Sequence, residues 1–144
     1  MKSVMDVMTK DVETIGPNDT LKAAAEKMRE LSVGPLPVCE GDKLMGIITD
    51  RDIVVRAVAK GMDINTTRVS EAMTDHVESV HVSDDITTVS KKMNEEKIRR
   101  VLVVDDHDKL VGIIALGDLV EAMNTTEAGK TLETISEAPP PGGH

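Results

Sequence analysis

Gly46-Ile47-Ile48-Thr49-Asp50-Arg51-Asp52 is the stretch whose reading decides the fold. From Leu44 to Ile48 the chain is apolar, as in a buried strand; from Thr49 the pattern changes, and Ile53, Val54, Ala57 and Val58 recur at helical spacing. A strand therefore passes directly into a helix. Thr49 is placed to cap that helix, and Asp52, three residues on, completes a Thr-x-x-acid cap at the positive end of the helix dipole. The same side chains admit a second use. A hydroxyl beside an acceptor-only carboxylate, at the carboxyl end of a strand, suits the adjacent hydroxyls of a ribose, while the first-turn amides suit a phosphate.

A second copy of the stretch, Gly112-Ile113-Ile114-Ala115-Leu116-Gly117-Asp118, keeps the glycine, the isoleucines and the final aspartate. Working outward, Met8-Thr9 matches Met73-Thr74 at an offset of 65, and at that offset Val12 meets Val77, Glu13 meets Glu78 and Thr14 meets Ser79. Leu21 likewise meets Ile86, Met28 meets Met93 and Val38 meets Val103. Beyond the hairpin the offset becomes 66, because Asp105-Asp106-His107-Asp108 is one residue longer than its counterpart. A turn is where a repeat tolerates an insertion.

Each copy reads β-α-β-β-α. Val12-Glu13-Thr14-Ile15 alternates as a strand, and Gly16-Pro17-Asn18-Asp19 breaks it. From Thr20, the residues Leu21, Ala24, Ala25, Met28 and Leu31 lie on one face of an amphipathic helix that Val33-Gly34-Pro35 ends. Leu36 to Cys39 forms a second strand, and Glu40-Gly41-Asp42 turns it into the Lys43–Ile48 strand as a hairpin. The helix opened by Thr49 runs to about Lys60, where Gly61 stops it. A repeat of about 60 residues is marginal by itself, so the copies are expected to share a core. The predicted fold is α/β (α+β): repeats at 1–62 and 63–124, packed about a pseudo-two-fold axis with their junctions near one cleft, and the Gly61–Thr67 segment linking them. The remainder, 125–144, is a C-terminal tail whose last residues, ending in Pro139-Pro140-Pro141-Gly142-Gly143-His144, are expected to be disordered.

Composition narrows the function. There is no Phe, Tyr or Trp among the 144 residues, so the stacking platforms of single-strand binders are missing, and a formal charge of −9 repels phosphate polymers. No nucleic acid partner is expected. No run of 18 apolar residues occurs and the N-terminus lacks the apolar core of a signal peptide, which points to a cytoplasmic protein without a membrane partner. Cys39, the lone cysteine, lies in an apolar stretch and reads as a buried, inert thiol.

His76, His81, His107 and His144 are scattered without cysteines at metal-ligand spacing, so no metal site is expected. The acidic turn at Asp105, Asp106 and Asp108 lacks the glycine and distal glutamate of a calcium loop and reads as a solvated hairpin tip. Ser70, Ser83 and Ser90 stand in no nucleophile elbow, and glycine-rich phosphate loops are absent. The chain carries no recognisable catalytic residue and is not expected to be an enzyme.

The ordered set, a leading Val-x-x-x-Met-Thr element (Val4 to Thr9, Val69 to Thr74) and a closing Gly-Ile-Ile-x-x-x-Asp in each copy, resembles a tandem pair of cystathionine β-synthase (CBS) domains, the Bateman module, over about Val4 to Met123. The resemblance implies a regulatory module without an obligatory cofactor. Its ligand would be an adenosine-containing molecule, AMP, ADP, ATP or S-adenosylmethionine, held between the repeats. The family's hydroxyl and acid, which contact ribose and phosphate, fall on Thr49 and Asp52. In the second copy Asp118 remains but Ala115 replaces the hydroxyl residue, which ranks that site weaker or empty. The adenine-holding segments map onto Thr14, Ile15, Gly34, Pro35 and Leu36 in the first copy and onto Ser79, Val80, Val101 and Leu102 in the second.

Arg99 and Arg100, just before the second strand of the second copy, stand where the family meets phosphates, and Arg51 is a further candidate. The structural alternative for each is solvated charge. Family membership also implies a homodimer assembled through helices and action through a protein partner. The competing reading is a structural or dimerisation module that binds no nucleotide, its motif kept only as helix caps.

Overall fold

Thr20 accepts a hydrogen bond from the Ala23 amide at 3.1 Å and opens helix α1 (Leu21–Leu31), whose Leu21, Ala24 and Met28 are buried. Its counterpart, α2 (Ile86–Glu96), is opened by Asp85, which accepts from the Thr88 amide at 2.9 Å and buries Ile86, Val89, Ser90 and Met93. That bond, reinforced by the Thr88 hydroxyl, holds the Asp85 carboxyl below the usual carboxylate range. Both helices end on a residue in the left-handed region, Ser32 at φ 55° and Lys97 at φ 56°. The expected first-copy helix is thus present, with Leu31 at its end left exposed.

The computed structural model describes residues 3–123, and the expectation for the tail at 125–144 lies outside them. It separates into two compact units. One is formed by 13–77; the other joins 78–123 to the leading segment 3–12. The division differs from the sequence halves 1–62 and 63–124 at both ends: the leading segment groups with the second copy, and 63–77 groups with the first. Among the described residues, no helix is long and apolar enough to cross a membrane.

In the unit 13–77, β1 (Leu36–Glu40) and β2 (Lys43–Ile48) pair antiparallel, with Leu36 opposite Ile48. The strand expected at Val12–Ile15 contracts to a single parallel bridge, Ile15 to Val38. In the other unit the same position is a true strand, β3 (Ser79–His81), parallel to β4 (Arg100–Val104), which pairs antiparallel with β5 (Leu110–Ala115). The cause of the difference is one donor. Val82 extends the β3 ladder by donating its amide to the Val104 carbonyl at 2.9 Å, whereas the matching residue in the first copy is Pro17, which has no N–H.

The expected helix from Thr49 to about Lys60 is also modified. A single α turn, α3 (Asp50–Asp52), passes into a π-helical segment, Ile53–Val58, before Gly61 turns the chain at φ +73°. Ile53 and Ala57 are buried, but Val54 and Val58, assigned to the same apolar face by their spacing, are each 56% exposed. The second copy closes with a regular helix, α4 (Leu116–Ala122).

Each sheet is completed by a Met-Thr segment. Thr74 exchanges two backbone hydrogen bonds with Ile47, both 2.8 Å, and Thr9 exchanges two with Ile113, at 2.8 and 3.0 Å. These contacts explain the repeated glycine. A Cβ on Gly46 would lie 2.4 Å from the Thr74 carbonyl oxygen, and one on Gly112 would lie 2.6 Å from Met8 Sδ and 3.0 Å from the Thr9 carbonyl oxygen. Both hairpins shift register beside the glycine, between Val38 and Cys39 and between Val103 and Val104. The cores form under these sheets, around Leu21, Leu36 and Ile48 in one unit and around Val89, Met93 and Ile114 in the other. Cys39 is buried in β1, and burial, helped by the charge of Asp42, pushes its thiol pKa up and keeps it protonated.

Two expectations follow for denaturant unfolding. Gly46→Ala drives a Cβ into backbone and is expected to cost about 1–3 kcal/mol; Gly112→Ala meets chiefly the end of a flexible methionine and costs less. Thr49→Ala removes a capping acceptor and lowers stability by about 0.5–2 kcal/mol, while Ala115→Thr, which supplies the missing hydroxyl at the start of α4, raises it. Equal losses for the two glycine variants, or no loss for Thr49→Ala, contradict these assignments.

Candidate functional site

Thr49 and Asp52 form a complete capping box. The Asp52 amide donates to Thr49 Oγ1 at 3.0 Å, and the Thr49 amide donates to Asp52 Oδ2 at 3.1 Å. The cap does not exhaust either group. Thr49 keeps its hydroxyl proton as a donor, and Oδ1 of Asp52, in a side chain 14% exposed, keeps acceptor capacity while facing Arg56 Nε at 3.8 Å. The cap thus orients the groups that the ribose reading requires.

Backbone bonds gather the other first-copy candidates at the same end of the sheet. The Asp50 amide donates to the Gly34 carbonyl at 3.2 Å, which ties Gly34-Pro35-Leu36 to the Thr49 junction. The Ile15 amide donates to the Pro37 carbonyl at 3.0 Å and brings Thr14 and Ile15 alongside β1. Ile15 and Leu36 belong to the buried core, so what they offer a ligand is main chain; Thr14 and Pro35 are half-buried. Arg51, in the first turn, is exposed.

The second copy repeats this frame in its own unit. The Leu116 amide donates to the Arg99 carbonyl at 2.8 Å, the equivalent of the Asp50–Gly34 bond. Ser79 and Val80 run beside Leu102 and Val103, and Val80, Val101 and Leu102 are buried. Arg100 opens β4 opposite Ala115, and both Arg99 and Arg100 are exposed. Ala115 gives α4 no side-chain cap, and Asp118 is half-buried in the first turn. Side-chain chemistry therefore differs between copies while the backbone frame does not.

Sequence reasoning missed three residues at these sites. Lys27 donates to the Thr14 carbonyl at 2.5 Å and pairs with Glu13 at 3.3 Å. Lys92 does the same in the second copy, donating to the Ser79 carbonyl at 2.8 Å and pairing with Glu78 at 3.1 Å. The signal was available, because Glu13/Lys27 and Glu78/Lys92 recur at the offset of 65. Each lysine consumes a carbonyl at the edge assigned to the adenine. The third is Arg56, which reaches from Asp52 to the Ala72 and Met73 carbonyls at 3.5 and 3.2 Å. It has no counterpart, since the matching residue is Ala122.

The histidines and acids fall elsewhere. His81 Nε2 contacts Asp106 Oδ1 at 2.5 Å, and its Nδ1 contacts Ser83 Oγ at 2.6 Å. This pair fastens the hairpin tip to β3, so the acidic turn is more than solvated charge. Asp105 organises that turn by accepting from the His107 and Lys109 amides at 2.8 and 3.0 Å, which lowers its pKa. Among the described residues, no three His, Cys, Asp or Glu side chains cluster as a metal-ligand set.

The CBS domain model matches the chain twice, at residues 4–58 and 69–125. The chain is 43% identical over 137 residues to the CBS domain-containing protein YhcV of Bacillus subtilis, an alignment covering 94% of this chain and 96% of that one. It is 39% identical over 120 residues to hypoxic response protein 1 of Mycobacterium tuberculosis, covering 83% of each. The crystal structure of hypoxic response protein I with two coordinated zinc ions is similar at a TM-score of 0.76 and 38% identity, over 85% of this chain and 100% of that one. That of CBSX2 in complex with AMP is similar at 0.72 and 27%, over 85% and 96%. A helix, a hairpin and a closing helical segment occurring twice, with glycines explained by the Met-Thr segments and both copies matched by the family model, make this chain a member of the CBS-domain family with a tandem CBS pair.

Proposed function

We propose that this CBS pair is a cytoplasmic regulatory module that binds an adenosine-containing ligand, AMP, ADP, ATP or S-adenosylmethionine, and presents the result to a protein partner. The observation that supports the reading best is the convergence at the Thr49 junction. A capped hydroxyl and carboxylate stand at the same strand end as the main chain of Gly34, Pro35 and Leu36, joined by the Asp50–Gly34 bond. In this reading Asp52 and Thr49 take the ribose, and the Thr14–Ile15 and Gly34–Leu36 backbones flank the adenine. The similar protein CBSX2 has been crystallised in complex with AMP. The second copy, with Ala115 in the hydroxyl position, is the weaker site; Arg99 and Arg100 serve phosphate there. The protein itself is not an enzyme in this reading.

Isothermal titration calorimetry with each of the four ligands tests it. At least one is expected to bind, and Asp52→Asn to weaken that binding roughly tenfold, the effect of losing a charged hydrogen-bond acceptor. At a ligand concentration of about 100 times Kd, the folded state gains about 2.7 kcal/mol. Absence of heat from all four at millimolar concentration overturns the reading in favour of a module without nucleotide.

A homodimer is proposed on a separate observation: Val54, Val55 and Val58 are 56%, 51% and 56% exposed on the π-helical segment. Adjacent exposed valines are better accounted for by a helix-mediated contact than by solvent. Sedimentation velocity of the wild-type protein is expected to give a dimer, and Val54→Lys with Val58→Lys a folded monomer. A wild-type monomer, or a dimer that survives both lysines, removes this assignment.

A further inference from the structure

Arg56 connects two features that the nucleotide reading treats separately. Its Nε faces Asp52 Oδ1 at 3.8 Å, the oxygen left over by the capping box, and its Nη1 donates to the carbonyls of Ala72 and Met73 at 3.5 and 3.2 Å. Met73 leads directly into Thr74, whose two bonds to Ile47 complete the sheet edge over Gly46. One planar, permanently charged group with several fixed donors therefore spans from the carboxylate to the Ala72–Thr74 segment.

We propose that Arg56 is a positioning residue that couples Asp52 to the Ala72–Thr74 segment, so that a ligand engaging Asp52 is registered at the Ile47–Thr74 edge; this coupling rests on the nucleotide reading above. The physical basis is competition and release. A ribose hydroxyl donating to Asp52 Oδ1 takes up the acceptor that Arg56 faces, and the guanidinium charge is then compensated more fully by the Ala72 and Met73 carbonyls, which draws that segment tighter onto the sheet. The long 3.8 Å separation leaves room for this exchange. The second copy has Ala122 in place of Arg56, so no side chain at that position can donate to the segment that pairs with Ile113. The coupling is therefore confined to one unit. Because the Arg56 side chain is half-exposed, its substitution opens no cavity in the core.

The test is amide hydrogen exchange by nuclear magnetic resonance on the full chain, with and without AMP, in wild type, Arg56→Gln and Arg56→Lys. Without ligand, Arg56→Gln is expected to speed exchange of the Ile47 and Thr74 amides by roughly three- to tenfold. The Thr9 and Ile113 amides, which form the matching pair in the other unit, are expected not to change. With AMP, exchange at Ile47 and Thr74 slows in wild type but not in Arg56→Gln, although calorimetry still shows AMP bound. Arg56→Lys keeps the charge beside Asp52 but not the fork, and is expected to retain the affinity while losing the protection. Unchanged ligand-free exchange in Arg56→Gln, or AMP-dependent protection equal to wild type, overturns the inference. A wild-type protein that binds no AMP overturns the coupling to ligand and is seen separately as absent heat, while the ligand-free comparison still decides whether Arg56 anchors the edge.

Discussion

The close approach of a backbone carbonyl to a strand position without a side chain is the contact on which this structure depends. Gly46 lies beneath the Thr74 carbonyl, and Gly112 beneath Met8 and Thr9. Only at such positions can the Met-Thr segments come near enough to exchange both hydrogen bonds with Ile47 and Ile113, which converts an exposed strand edge into a paired one. The consequence is topological. The Met-Thr segment at 69–74 folds back on the copy that precedes it, while the one at 4–9 is held by a strand about a hundred residues later, so that the compact unit around the second copy includes the first residues described.

Main-chain hydrogen bonds preserve a common frame under different side chains. Asp50 to Gly34 and Leu116 to Arg99 are the same bond in the two copies, although proline follows the acceptor in one and arginine in the other. Lys27 and Lys92 likewise hold the carbonyls of Thr14 and Ser79, two different residues. Because a backbone donor or acceptor is indifferent to what the residue carries, the frame persists while the chemistry mounted on it diverges. In the first copy that chemistry is a hydroxyl, a carboxylate and Arg56; in the second it is Ala115, Asp118, Ala122 and a pair of arginines. The two copies are unequal in side-chain chemistry for that reason, on a backbone frame they share.

The π-helical segment after Asp52 is where local pattern and structure part company. Ile53, Val54, Ala57 and Val58 have the spacing of a buried face, yet the change from α to π turns brings only Ile53 and Ala57 inward. Arg56, from the same segment, reaches the Ala72 and Met73 carbonyls. A departure from regular geometry next to a candidate site thus determines both which valines meet solvent and which charge meets the carboxylate.

Much of this protein is written locally. The duplication, the helix from Leu21 to Leu31, the two hairpins and the capping pair Thr49/Asp52 follow from periodicity, turn residues and a four-residue cap signature, because each is stabilised by neighbours in sequence. So does the frame of the candidate site, since repeated residues mark its corners. Tertiary structure alone decided which sheet each Met-Thr segment completes, that His81 fastens the acidic turn, and that Arg56 joins Asp52 to Ala72 and Met73. These contacts join residues 16 to about a hundred positions apart, and hydrophobic periodicity carries no information about which distant carbonyl or carboxylate a side chain will meet once the chain is folded.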